Sequence, residues 1–223
     1  MELIHFLDSI DRQLLLALNN DYSNFWDNVM WLVSAKKVWI PFYAAILYVV
    51  IRHWKKDSWL IVLGLILCIV IADQTASGVL KNVVQRLRPS EDPSIQNLVV
   101  LVNGDRGGGR YGFVSSHAAN MFGLALLTSL LFKNRFYTIF AISWAALVAY
   151  SRVYLGVHYP GDILGGAIVG VLSALLVYWL LKKIRPQLFT DKNTPIVHTQ
   201  IPVWTMLGTL MVFLVYSAVL WDI

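Results

Sequence analysis

Most of this chain is apolar, yet three short stretches hold residues that can do chemistry on a phosphate. They read KNVVQRLRP at 81–89, GFVSSHAAN at 112–120 and SRVYLGVHYPGD at 151–162. In the first, Lys81 and Arg88 stand two helical turns apart, so on a continuous helix both cations would leave the same face. Pro89 would then end the helix, because the residue before a proline is pushed out of the helical region. Such a pair suits a phosphate; it equally suits an anchor whose charged heads snorkel to the membrane surface. In the second stretch Ser115 and Ser116 open a long apolar run. Serine is a favoured N-cap, and a helix N-terminus offers N–H groups to an anion. His117, in that first turn, is placed to give a proton to a departing oxygen, although a serine cap and one histidine also occur together for structural reasons alone. In the third stretch Arg152 precedes His158, and Asp162 follows it one turn later. A histidine–aspartate pair orients an imidazole and stabilises its charged form. Pro160 and Gly161 interrupt regular structure between them, so contact does not follow from spacing, and Asp162 would also serve as a simple helix cap.

The elements that must position these residues are membrane helices. Of 223 residues, 57% are hydrophobic and only 14% charged, well away from a soluble domain. The apolar residues gather into runs long enough to cross a bilayer. Six spans are expected, at 38–53, 58–80, 115–132, 136–153, 161–182 and 203–221, giving an all-α six-helix bundle. The preceding FWDNVMWLVSA is too short to cross. At the start, Ile4, Leu7, Ile10, Leu14, Leu15 and Leu18 recur at helical spacing beside Glu2, Asp8 and Asp11. That pattern reads as an amphipathic helix in the membrane interface and not as a cleaved leader, which would begin with basic residues. A helix docked like that of a soluble protein is the alternative. One domain over 1–223 is expected, with interfacial helices in 1–35 and the spans in 38–221. Tryptophans near span ends (Trp26, Trp31, Trp39, Trp54, Trp59, Trp179, Trp204, Trp221) suggest an aromatic belt. Gly165, Gly166 and Gly170 suit close helix packing. The single cysteine, Cys68, lies inside an apolar run and excludes an intrachain disulfide.

Charge orients the bundle. With six spans, Arg52, Lys55, Lys56, Lys133, Arg135, Lys182, Lys183, Arg185 and Lys192 fall on one side, opposed there by Asp57 and Asp191. The positive-inside rule makes that side cytoplasmic. All three chemistry-bearing stretches then face out, toward the periplasm in a Gram-negative cell. Lys36 and Lys37 run against the rule, since they fall on the outer side. The net charge of +5 is spread over span ends and forms no stripe with interleaved aromatics, so no nucleic-acid partner is expected.

Taken together, the three stretches resemble the type-2 phosphatidic-acid phosphatases, or lipid phosphate phosphatases. The first motif matches at Lys81, Arg88 and Pro89, and the third at Ser151, Arg152, His158 and Asp162. The middle motif of the family reads Pro-Ser-Gly-His; here Val114, Ser115, Ser116 and His117 replace its proline and glycine but keep the serine and histidine. The likeness runs over roughly residues 50 to 185. It implies a phosphohydrolase that needs neither cofactor nor metal, in which His158 attacks phosphorus, Asp162 holds the His158 ring, and His117 protonates the leaving oxygen and later activates water. It also implies that Lys81, Arg88, Arg152, Ser115 and Ser116 bind the phosphate. Serine in place of glycine at 116 bears on how closely backbone N–H groups approach that phosphate.

The expected substrate is a membrane lipid carrying a phosphate or diphosphate. An envelope lipid, undecaprenyl diphosphate or lipid A, fits an outward site in a bacterial inner membrane; phosphatidylglycerol phosphate and phosphatidic acid are alternatives. In NGDRGGGRYG, three glycines give a mobile turn, and Arg106 or Arg110 is a candidate for a second phosphate or a sugar. Two other classes compete: a lipid-handling protein that keeps a phosphate site without hydrolysis, and vanadate-dependent haloperoxidase chemistry, whose carriers are soluble. The intact His117, His158 and Asp162 argue against the first.

Overall fold

The computed structural model describes residues 2–20, 23–104, 107–189, 196 and 198–219. Arg106, Asp191, Lys192 and Trp221, all used above, lie outside the described residues, as does the end of the last expected span.

Among the described residues the fold is all-helical. The chain opens with α1 (Glu2–Leu18) and α2 (Asn24–Ser34), the latter capped by the Ser23 hydroxyl, which accepts from the Trp26 N–H. Then come α3 (Ile40–Trp54) and α4 (Ser58–Asp73). The latter runs through a π-helical stretch (Gln74–Leu80) into a last turn, α5 (Lys81–Val84). The bundle closes with α6 (Ser116–Phe132), α7 (Arg135–Tyr154), α8 (Pro160–Ile184) and α9 (Gln200–Val219). Among the described residues, four helical stretches are long and apolar enough to cross a membrane: 36–84, 135–154, 160–184 and 200–219. The first bends at Lys55, where φ is +48°. α6, at 17 residues, is shorter than each of these four stretches and lies buried along most of its length. Outward-facing Ile168, Leu172, Met211 and Val212 are each about 60% exposed. A soluble protein could not leave such faces bare; the chain is a multi-pass membrane protein.

Small residues set the register between α6 and α8. A Cβ on Gly166 would meet the Ser115 carbonyl at 2.4 Å, and one on Gly170 would meet the Ala119 carbonyl at 2.3 Å. Glycine at both places lets the helices approach this closely, as small residues do in membrane bundles. The expectation for the glycines therefore holds.

The aromatic belt needs a correction. Trp59, Trp179 and Trp204 are exposed, but Trp39 is wholly buried and Trp54 nearly so. Trp39 packs edge-on against Trp144 and Phe213 and donates its indole N–H to the Val33 carbonyl at 2.9 Å. Both of its faces are used by helix packing, so it is a core residue joining α7 and α9 to the start of α3.

Candidate active site

The C-terminal ends of α5 and α7 and the N-terminal ends of α6 and α8 lie at one end of the bundle. All three chemistry-bearing stretches meet there.

The first arrives by a different route from the one its spacing suggests. The helix ends at Val84, with Gln85 in the left-handed region (φ +51°), four residues before Pro89. Arg88 is therefore not two turns along from Lys81 on one helical face. It lies on an extended segment in which Leu87 bridges Tyr111. The Arg88 N–H donates to the Arg110 carbonyl (3.0 Å) and the Gly112 N–H to the Arg86 carbonyl (2.9 Å). Strand-like pairing, not helical periodicity, aims the Arg88 side chain inward.

Arg88 is 2% exposed. Its Nε donates to the Gly109 carbonyl (2.8 Å), Nη2 to the Gly108 carbonyl (3.4 Å) and Nη1 to the Val157 carbonyl (2.7 Å). Nη1 also lies 3.0 Å from His158 Nε2. The glycine run is thus a cradle for a guanidinium. Gly107 has φ +75°, and a Cβ there would sit 2.6 Å from Arg88 Nη1; only glycine meets both demands without strain.

His158 is buried in the turn between α7 and α8. Its Nδ1 lies 3.2 Å from Asp162 Oδ2, so the pairing left open by the sequence is made. An arginine cannot accept a hydrogen bond, so Nε2 must carry the lone pair and Nδ1 the proton. Burial, and then the positive charges of Arg88, Arg152 and Lys81, hold His158 well below the usual histidine range. The ring at rest is neutral.

Asp162 serves both purposes that its sequence position allowed. Oδ2 accepts the Tyr159 N–H at 3.1 Å, capping α8, as well as facing His158. Oδ1 accepts from Arg86 Nη1 at 3.0 Å. The Asp162 backbone carbonyl accepts the Ser115 N–H at 2.9 Å, tying α8 to α6.

Ser115 is the expected N-cap, its hydroxyl accepting from the Ala118 N–H at 3.4 Å. Its own N–H is taken by Asp162, which corrects its place as an anion donor. The first-turn N–H groups without an intrahelical acceptor are those of Ser116 and His117. His117 is only partly buried and lies within electrostatic reach of Arg152, Lys36, His158 and Lys81. Arg152, buried in the last turn of α7, donates to the Ser34 hydroxyl of α2. Ser151 turns back to bond its own helix at the Val148 carbonyl (2.7 Å), a structural use. Lys81 is partly buried within reach of Arg88, Asp73, Asp162 and Lys36. Arg110 is exposed, and its carbonyl, not its guanidinium, holds Arg88.

Four residues the motifs did not single out are also here: Arg86, Asp8, Asp11 and Lys36. Arg86 pairs with Asp162, Asp11 and Asp8. Lys36, which ran against the charge rule, stands among the cations of the site. Nothing in the spacing links Asp8 or Asp11 to residue 86; the only sequence signal was acidic residues on an otherwise apolar helix.

An all-helical, multi-pass membrane protein with a cationic, histidine-bearing cluster at one end of its bundle is the class these observations define. Residues 57–186 match the PAP2 superfamily, and the chain belongs to that family. It is a lipid phosphatase, a hydrolase of phosphoric esters. Over 226 residues it is 43% identical to a lipid A 4'-phosphatase of Bacteroides thetaiotaomicron, covering 97% of this chain and 99% of that protein. A lipid A 4'-phosphatase of Porphyromonas gingivalis is 38% identical over 78% of this chain and 74% of its own length. An undecaprenyl-diphosphatase of Sulfolobus acidocaldarius is 32% identical over 60% of this chain and 58% of its own length. No solved structure matches the chain.

Proposed function

We propose that this enzyme removes a phosphate from lipid A through a phosphohistidine. The near end-to-end likeness to a lipid A 4'-phosphatase, covering 97% of the chain, carries the choice of lipid. The likeness to an undecaprenyl-diphosphatase covers 60% and supports that diphosphate as the second reading.

In the proposed reaction His158 Nε2 attacks phosphorus, and the Arg88 N–H that faces Nε2 at rest moves to a non-bridging oxygen. Asp162 keeps the proton on Nδ1, so the free pair stays on Nε2. An N–P bond forms, the bond to the sugar oxygen breaks, and protonated His117 gives that oxygen its proton. Water then attacks phosphorus while His117 takes its proton; the N–P bond breaks and phosphate leaves. Lys81, Arg88, Arg152 and the Ser116 and His117 N–H groups stabilise the charge that builds on the phosphoryl oxygens. No metal or cofactor enters this scheme.

The site would face the periplasm from an inner membrane crossed six times. The supporting observations are the basic residues at the opposite helix ends and the bend at Lys55, which favours reading α3 and α4 as two crossings. The 1–223 chain would act as one domain. An apolar groove of about 380 Å³ between α3, α4 and α6 ends at Lys36 and Asn120 and would take an acyl chain. Lys36, and Arg106 or Arg110, would meet polar groups of the lipid beyond the reacting phosphate.

The test is phosphate release in detergent with chelator present, from lipid A, undecaprenyl diphosphate and phosphatidylglycerol phosphate side by side, for the parent and His158→Ala. Lipid A is expected to have the largest kcat/KM, with none left in the variant. Preference for another lipid overturns the substrate; activity in His158→Ala overturns the nucleophile; loss with chelator overturns the metal-free scheme.

A further inference from the structure

α1 is built inside-out relative to a helix of a soluble protein. Most of its apolar stripe faces away from the protein, with Phe6 61%, Leu7 54% and Leu14 47% exposed, while Leu15 of that stripe is fully buried. Asp8 and Asp11 face inward. Asp11 Oδ2 accepts from Arg86 Nη1 at 2.7 Å, and Asp8 Oδ1 from Arg86 Nη2 at 2.9 Å. The same Nη1 reaches Asp162 Oδ1 at 3.0 Å. The Arg86 guanidinium lies over the Tyr159 ring, 3.9 Å from its centre, which fixes its plane. Asp11 Oδ1 also accepts the Gly161 N–H at 2.7 Å, at the start of α8. A Cβ on Gly161 would lie 2.6 Å from that carboxylate.

We propose that Arg86 is a positioning residue for hydrolysis and that α1 supplies its support. Asp8 and Asp11 hold Arg86, Arg86 holds one oxygen of Asp162, and the other oxygen is thereby turned to His158 Nδ1. The inference rests on the roles assigned above to His158 and Asp162, and not on which lipid is cleaved.

The charge arrangement explains why the chain of contacts is needed. The Asp162 carboxylate is fully buried, and a buried charge must be paired. His158 is neutral at rest, so it offers Asp162 a hydrogen bond and no charge. Arg88 and Lys81 lie within electrostatic reach of Asp162. In the proposed reaction both are drawn to the phosphate. Arg86 is the cation that stays, because Asp8 and Asp11 keep it off the substrate. Arg12 completes the cluster by pairing with Asp8 (2.9 Å) and Asp92 (3.1 Å). Three carboxylates around one guanidinium also leave Arg86 little pull toward an anionic lipid, so its effect should appear in turnover and not in binding.

The experiment compares the full-length parent with Arg86→Gln, Arg86→Lys and Asp11→Asn in the same detergent, on whichever lipid phosphate the parent turns over fastest. For Arg86→Gln we expect kcat to fall about 100-fold, as for a misplaced reacting group, with KM within about threefold. The acid limb of its kcat/KM profile should move about one pH unit upward, as expected when a carboxylate loses an adjacent cation. Arg86→Lys should regain part of the lost kcat. Asp11→Asn keeps an acceptor for the Gly161 N–H and removes only the charge, so it should show a smaller fall of about tenfold and the same direction of pH shift. A folded Arg86→Gln with the parent's kcat and pH profile overturns the proposal, and so does a change confined to KM. If Arg86→Gln does not fold, a parental profile in Asp11→Asn overturns it. His158→Ala, run alongside, separates this outcome from failure of the phosphohistidine scheme: its activity would refute that scheme whatever Arg86 does.

Discussion

The two histidines of the site have opposite surroundings. His158 is buried and bounded on both ring nitrogens, by Arg88 on one side and Asp162 on the other. His117 sits in the first turn of α6, partly exposed. A nucleophile needs one tautomer and one direction of attack, and contacts on both nitrogens provide them. A group that first gives a proton and then takes one from water must meet water between the two steps, so partial exposure serves it. The difference in packing thus runs parallel to the difference in proposed role.

The sharpest way to break that parallel is to remove each ring and vary the leaving group. His158→Ala should lose about 10⁴-fold or more on every substrate, because no bond to phosphorus can form without it. His117→Asn should lose about 10²- to 10⁴-fold on a lipid phosphate. It should lose far less on an aryl phosphate, whose oxygen departs without a proton. Equal losses on both substrates in His117→Asn would remove its role as acid.

The same contrast has a pH signature. Burial and neighbouring cations lower the His158 pKa in the folded state, while the unfolded chain titrates near the ordinary value of about 6.5. Below that value the unfolded state binds the proton and the folded state does not. Stability conferred by a neutral His158 is therefore complete above about pH 6.5 and is lost as pH falls, by up to about 1.4 kcal/mol per unit. Thermal midpoints between pH 7.5 and 5 should drop less steeply in His158→Gln than in the parent. Parallel slopes would show that folding does not lower the His158 pKa.

Much of the site was legible in the sequence, but unevenly. The three motifs named His117, His158, Asp162 and the cations because they are local and chemically specific. The helix positions followed from the apolar runs. What spacing could not supply was the path of the chain between motifs. Gln85 leaves the helix in a left-handed conformation, and Arg88 reaches His158 by pairing with residues more than 20 positions on, which no period of 3.6 encodes. The sequence assigns Arg86 no role for the same reason, since its partners Asp8 and Asp11 lie over 70 residues away. Trp39 read as an interfacial residue because tryptophan at a span end usually is one; its neighbours on α7 and α9 bury it instead.

Gly107 offers a smaller and more local challenge to the two-walled view of His158. Its φ of +75° costs an alanine about 1–2 kcal/mol. The added Cβ, 2.6 Å from Arg88 Nη1 and 3.0 Å from the Val157 Cβ, also cannot stay without moving the guanidinium or the loop. Gly107→Ala should therefore lower kcat about 10- to 100-fold, because Arg88 both faces Nε2 and would later bind the phosphate. Gly108 and Gly109 have open space at the Cβ position. Alanine at either should pay the backbone cost without displacing Arg88, leaving kcat within a few-fold of the parent at a lower thermal midpoint. Measuring kcat and midpoint for all three separates the two contributions. If the three variants lose kcat equally, Arg88 is not held by the close fit at Gly107, and the cradle is a matter of backbone conformation alone.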